Sequence, residues 1–183
     1  YCQVWAYDAT TPDIRGASDV LEVYFKSPNT IDNFDTYEQT SGLNDSWQAF
    51  SAGASQGALA LSYDADGESV ILDYNIPGRG GYYGVVYSLL SDVDLHRWGT
   101  SVIQVFYRGL PDNSPAVLGI ILYDSEGRSA MVSDPATTQA FVQEKWSPWS
   151  QLRITLSRFE ALGVNTHSIN RIGIYVENNT DQP

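Results

Sequence analysis

Gly80-Gly81-Tyr82-Tyr83-Gly84-Val85-Val86-Tyr87-Ser88-Leu89, followed by Asp94-Leu95-His96-Arg97-Trp98, decides the fold of this chain. It reads as a glycine-rich turn, a strand that opens on aromatics, a short polar link, and a Trp leading into the next strand. Side chains alternate across a strand, so Tyr83 and Tyr87 share one face and Tyr82 points to the other. One of those faces meets a core and the other lies outside it.

The same rhythm of short strands and turns runs outward from this segment. Residues 58–63 and 68–74 flank Asp64-Ala65-Asp66-Gly67, a hairpin signal with Gly67 suited to positive φ. Residues 101–108, 116–123, 129–133, 151–156 and 172–176 read as further strands. Asp124-Ser125-Glu126-Gly127 forms a turn between two of them. Short helical turns are expected only near residues 157–162 and 135–140. Many short strands with frequent turn signals predict an all-β, antiparallel β-sandwich of jelly-roll type. The module begins near Ile31. Residues 1–30 read as an N-terminal extension, with strands at 3–7 and 19–25 joined by a linker, leaving 31–183 as the sandwich.

With 183 residues the chain can bury a core without disulfides, and Cys2 is its single cysteine. A thiol this near the terminus is either free or paired outside the chain. The chain opens on Tyr1 with no signal-peptide pattern, which reads as a processed or excised piece. The formal charge of −12 excludes nucleic acid as a partner, because no basic stripe replaces phosphate counterions. It also disfavours anionic membranes and anionic polysaccharides. No apolar run reaches membrane-spanning length, so membrane insertion is not expected. Few lysines and Gly/Ser/Thr/Asn-rich loops point to an exported protein, extracellular or at the cell surface.

Catalytic motifs are sparse. Gly53-Ala54-Ser55-Gln56-Gly57 matches G-x-S-x-G, but that elbow needs a strand before it and a helix after it, and here a strand follows. Asp64 and Asp66 resemble the start of a calcium loop whose remaining ligand positions are strand residues. His96 and His167 lack neighbouring His, Cys or spaced carboxylates, so a transition-metal site is not expected. No pair of acids stands out for glycoside hydrolysis. The chain reads as a non-enzyme. Among the aromatics, Trp98, Phe106, Phe159 and Phe34 are assigned to the core. A Tyr or Trp left outside it can stack on the C–H face of a pyranose while Asp, Asn, Arg or Gln bind hydroxyls.

Five stretches resemble the family 11 carbohydrate-binding modules and the wider group that includes complex I intermediate-associated proteins. They are Ile31-Asp32-Asn33-Phe34-Asp35, the 81–89 and 94–98 segments, residues 149–159, and Ile169-Asn170-Arg171-Ile172-Gly173-Ile174-Tyr175-Val176. The resemblance covers about residues 31–178 and implies a galactose-binding-like β-sandwich. It implies a polysaccharide partner, bound noncatalytically on a concave sheet face lined by aromatics. It places Tyr82 on a ligand-stacking tyrosine of the family. Tyr123, Tyr175, Asn170 and Arg171, on the matching strands, complete the candidate ligand-binding set. Phe50 stands near the family's first Trp position, and Glu160-Ala161-Leu162-Gly163 replaces its Arg-x-Asp-Tyr-like cluster. Folds of this type often hold a structural Ca²⁺, for which Asp32 and Asp35 are the candidate ligands. The family's closing strand is missing after Val176, leaving a sheet edge to be filled. Residues 3–7 or 19–25 would fill it, or would add to a neighbour. The alternative reading is therefore a structural module of a filament, surface layer or tandem-domain adhesin that self-associates by strand complementation.

Overall fold

A computed structural model describes residues 39–64, 67–97, 99, 101–107, 116–135 and 150–178. The strands expected at 3–7 and 19–25, Cys2, Asp32 and Asp35 lie outside the described residues. So do Phe34, Trp98, Trp146 and Trp149.

The elements run α1 (Thr40–Ser46), β1 (Trp47–Ala52), β2 (Gln56–Asp64), β3 (Gly67–Asn75), β4 (Tyr82–Val93), β5 (Val102–Tyr107), β6 (Val117–Asp124) and β7 (Ser129–Ser133). They end with β8 (Ser150–Thr155), α2 (Leu156–Glu160) and β9 (Ile169–Glu177). One five-stranded sheet has the order β1-β4-β9-β6-β7, and β2-β3 and β5-β8 form two further ladders. Every pairing is antiparallel. The protein is an all-β antiparallel sandwich, as the strand rhythm predicts.

Register explains which side chains are buried. Tyr83, Val85 and Tyr87 of β4 stand opposite Val176, Ile174 and Ile172 of β9, which stand opposite Leu118, Ile120 and Leu122 of β6. This face packs on Ile103 of β5 and on Leu152 and Ile154 of β8. A second cluster joins Trp47, Val85 and Leu59 to Leu43 of α1. Leu43 is fully buried, although α1 has no side-chain cap at Gln39. Burial of one leucine, rather than helix propensity, holds this short helix in place. The expected turn at the end of β6 also forms. The Gly127 N–H bonds to the Asp124 carbonyl at 3.1 Å, and Gly127 takes the φ of 81° that a residue without Cβ adopts freely.

Phe106 corrects the sequence reading. Val-Ile-Gln-Val-Phe-Tyr is apolar on both strand faces, so alternation alone does not choose between them. Pairing with β8 sets Ile103 beside Ile154 and Val105 beside Leu152, and those residues turn inward. Phe106 then falls on the opposite face, 60 % exposed. Phe159 is buried in the core as expected.

Candidate functional site

The other face of the five-stranded sheet lies opposite the main core cluster; Val86, Val117, Ile121 and Tyr175 on it are themselves buried, and antiparallel pairing sorts the face into rows. The first holds Ala52, Tyr82, Glu177 and Val117. The second holds Phe50, Gly84, Tyr175, Gly119 and Ser133. The third holds Gln48, Val86, Gly173, Ile121 and Met131, and the fourth Ser88, Arg171, Tyr123 and Ser129. Four of the five predicted ligand residues thus share one face: Tyr82, Tyr123, Tyr175 and Arg171.

Tyr82 is half-buried and held by two rings. Phe50 lies 5.8 Å from it between centroids, and Tyr175 meets it edge-to-face at 6.4 Å. Such tilted contacts match the aromatic quadrupole and fix the ring. Phe50 therefore belongs to the group, although its position departs from the family's pattern. Only the pairing of β1 with β4 brings it there.

Tyr175 is 1 % exposed and forms the floor of the face, not an open platform. Its ring lies across Gly119, where an added Cβ would come within 2.4 Å of Tyr175 Cζ. Burial, with help from Glu177, pushes its phenol up to about 12 against an opposing hydrogen bond with Ser133. The Ser133 hydroxyl also donates to Glu177 Oε1 at 2.7 Å, and Arg158 donates to the Ser133 carbonyl at 3.0 Å.

At the far end, the Arg171 guanidinium lies 4.0 Å over the Tyr123 ring centroid. Asn170 is the extra residue of a bulge against β6, while against β4 the extra residues are those of β4 between Ser88 and Val93. Ile169 faces Val93 and Asp124, Arg171 faces Ser88 and Tyr123, and Asn170 has no partner between them. Its Oδ1 is buried without a hydrogen bond.

The histidines depart from expectation. His96 and His167 stack with centroids 4.5 Å apart. His96 Nε2 is 2.8 Å from both Glu160 Oε1 and Thr166 Oγ1, and His167 Nδ1 is 3.0 Å from Asp94 Oδ1. The partners lie about seventy residues apart in sequence and meet only because the β4–β5 loop packs on the turn before β9. The Asp94 carboxyl is held below the usual range, first by the His96 backbone N–H. Glu160 is lowered first by the Thr166 hydroxyl. The group ties two loops together. Among the described residues, no three His, Cys, Asp or Glu side chains are arranged to hold a metal ion.

Asp124 anchors the same end. It is 1 % exposed and accepts from the Glu126 and Arg128 amides at 3.0 and 2.9 Å, from Arg128 Nε at 2.7 Å and from the Asn165 amide at 2.9 Å. Ser55, by contrast, lies in the turn between β1 and β2, and its Oγ donates to the carbonyl of Ala52 at 2.6 Å. The strand–turn–helix context of a nucleophile elbow is absent there. Among the described residues, no helix is long and apolar enough to cross a membrane.

The chain is similar in structure to a family 11 carbohydrate-binding module from Clostridium thermocellum, solved in complex with a β-1,3-1,4-mixed-linked tetrasaccharide. The TM-score is 0.52 at 15 % identity, over 82 % of this chain and 86 % of that one. The family 11 module of the cellulosomal cellulase Lic26A-Cel5E of Clostridium thermocellum gives 0.49 at 15 % identity, over 81 % of this chain and 89 % of that one. At this identity the first likeness speaks to the fold, and it agrees with the sandwich described above. No family profile matches the sequence, and no curated protein matches it either.

Proposed function

We propose that this protein is a noncatalytic carbohydrate-binding domain of an exported or cell-surface protein, and that it takes a largely neutral polysaccharide across the outer face of the five-stranded sheet. The observation that carries this is Tyr82. It stands half-buried on the face opposite the main core cluster, braced by Phe50 and Tyr175 at the edge of a buried apolar floor of Val86, Val117, Ile121 and Tyr175. A fixed, half-exposed ring stacks on a pyranose at low entropic cost. Glycines at 84, 119 and 173 keep the middle of the face low around Tyr175. The fold it shares with a module solved on a tetrasaccharide supports the reading, as does the tie of Ser55 to its own strand.

Affinity electrophoresis through soluble glucans, xylans and galactans tests it. The wild type is expected to be retarded by at least one. Tyr82→Ala is expected to weaken retention about tenfold, the loss of one stacking contact, with an unchanged circular dichroism spectrum. No retention on any glycan, or equal retention of the variant, would overturn the assignment.

A further inference from the structure

We propose that the Arg171 end of this face reads a carboxylate on the bound sugar, so that the preferred glycan is a mostly neutral chain carrying scattered acidic residues. This rests on the carbohydrate-binding reading above and narrows its ligand class.

The fourth row of the outer face places Ser88, Arg171, Tyr123 and Ser129 side by side on four adjacent strands. It is the hydroxyl-rich row, and Arg171 is its cation. Arg171 is exposed, and its guanidinium carbon lies 4.0 Å over the Tyr123 ring centroid. Contact with the ring holds the guanidinium at this row and leaves N–H groups to donate. Two of them match a carboxylate with two parallel hydrogen bonds. Among the described residues, no acid pairs with Arg171. Two other arginines among the described residues are engaged: Arg128 holds Asp124 and Glu126, and Arg158 holds the Ser133 carbonyl. Carboxylates outnumber Lys and Arg by 22 to 10, so a cation kept clear of them on the face assigned to ligand is informative.

Charge also limits the ligand. A dense polyanion meets the field of a chain at −12 and is repelled. A single carboxylate near Arg171 feels mainly what lies within a Debye length, about 8 Å in physiological salt. Of the acids near this end, Asp124 is paired with Arg128 and Asp92 accepts from Ser168, while Glu177, the acid of the first row, is six residues along β9 from Arg171, about 20 Å at ~3.3 Å per residue. The face therefore has a braced aromatic end for neutral rings and a cationic end for an acidic one.

Matched ligands test this by titration calorimetry. Neutral glucan and galactan are each compared with a form in which a small fraction of C6 alcohols is oxidised to carboxylate. Glucuronoxylan is compared with its carboxyl-reduced form. The wild type is expected to bind the acidic member of a pair about tenfold more tightly, as one charge-assisted bidentate contact provides. Added NaCl is expected to shrink that preference, Arg171→Gln to abolish it, and Arg171→Lys to keep part of it. Equal binding of both members, or a preference that survives Arg171→Gln in a folded variant, overturns the inference. Binding of neutral chains without acid preference defeats this proposal alone. Binding of no member of any pair defeats the carbohydrate reading with it.

Discussion

Asp124 carries four N–H donors on two carboxylate oxygens in a site closed to solvent. Burial pushes its carboxyl up, but the hydrogen bonds from Asn165 and Arg128 outweigh burial and hold it below the usual range. Its folded value therefore lies under the unfolded one, about 3.9. The stability it contributes is whole above the unfolded value and is lost as pH falls through the folded one. Asp124→Asn keeps the shape but turns an NH2 group toward two of those donors, whichever way the amide lies. It is expected to cost about 1–3 kcal/mol at pH 7, the range for leaving buried hydrogen-bond donors unsatisfied. The urea midpoints of variant and wild type should draw together in acid. A gap that stays constant down to pH 3 would show that ionisation is not what the site uses. Gly119 makes a second residue-scale case. A methyl there meets the ring and hydroxyl of Tyr175, which its neighbours hold in place. Gly119→Ala is expected to destabilise by about 1–3 kcal/mol through overpacking. An unchanged melting temperature would mean that Tyr175 moves freely.

Strand faces are set by pairing, and β5 shows how far pattern alone reaches. Ile154 of β8 is fully buried, and across the ladder Ile103 joins it in the core, while Phe106 faces out. Ile154→Ala should cost about 2–5 kcal/mol as a cavity in the core. Phe106→Ala should stay within about 0.5 kcal/mol. Denaturation midpoints of the two variants separate the faces, and similar losses would contradict the register. The β2–β3 and β6–β7 hairpins are legible in the sequence because Asp and Gly cluster at the junction of their strands. The strand α1 leads into is not. Trp47–Ala52 mixes small and polar residues, and it is a strand because β4 pairs with it. Parity alone sets Tyr82 on the face opposite Tyr83 and Tyr87, and the pairing shows which of the two faces is which. Phe50 beside it, and the His96–Glu160 and His167–Asp94 pairs, are not legible even to that extent. Each joins residues that are distant in sequence, and such contacts leave no local period to read.

Across the whole molecule the dominant long-range quantity is charge. If every Lys and Arg were paired, twelve carboxylates would still lack a cationic partner. Their mutual repulsion opposes the compact state. It acts over surface distances that salt screens, whereas the Arg128–Asp124 pair, with Asp124 buried and Arg128 half-exposed, is screened less. Added NaCl should therefore remove more repulsion than attraction. Stability at neutral pH is expected to rise by about 1 kcal/mol between low and physiological salt, which at this length is about 2–4 °C in melting temperature. A partly acidic ligand brings the same field into binding, with the opposite consequence. Salt weakens the local attraction of a carboxylate to Arg171 while relieving the repulsion between a charged chain and the rest of the protein. Affinity for sparsely oxidised glucan should fall with salt, and affinity for a dense polyuronate should rise. Calorimetric titrations over a range of NaCl read both slopes. The same sign for the two ligands would mean that the net charge, and not the Arg171 row, governs what this face accepts.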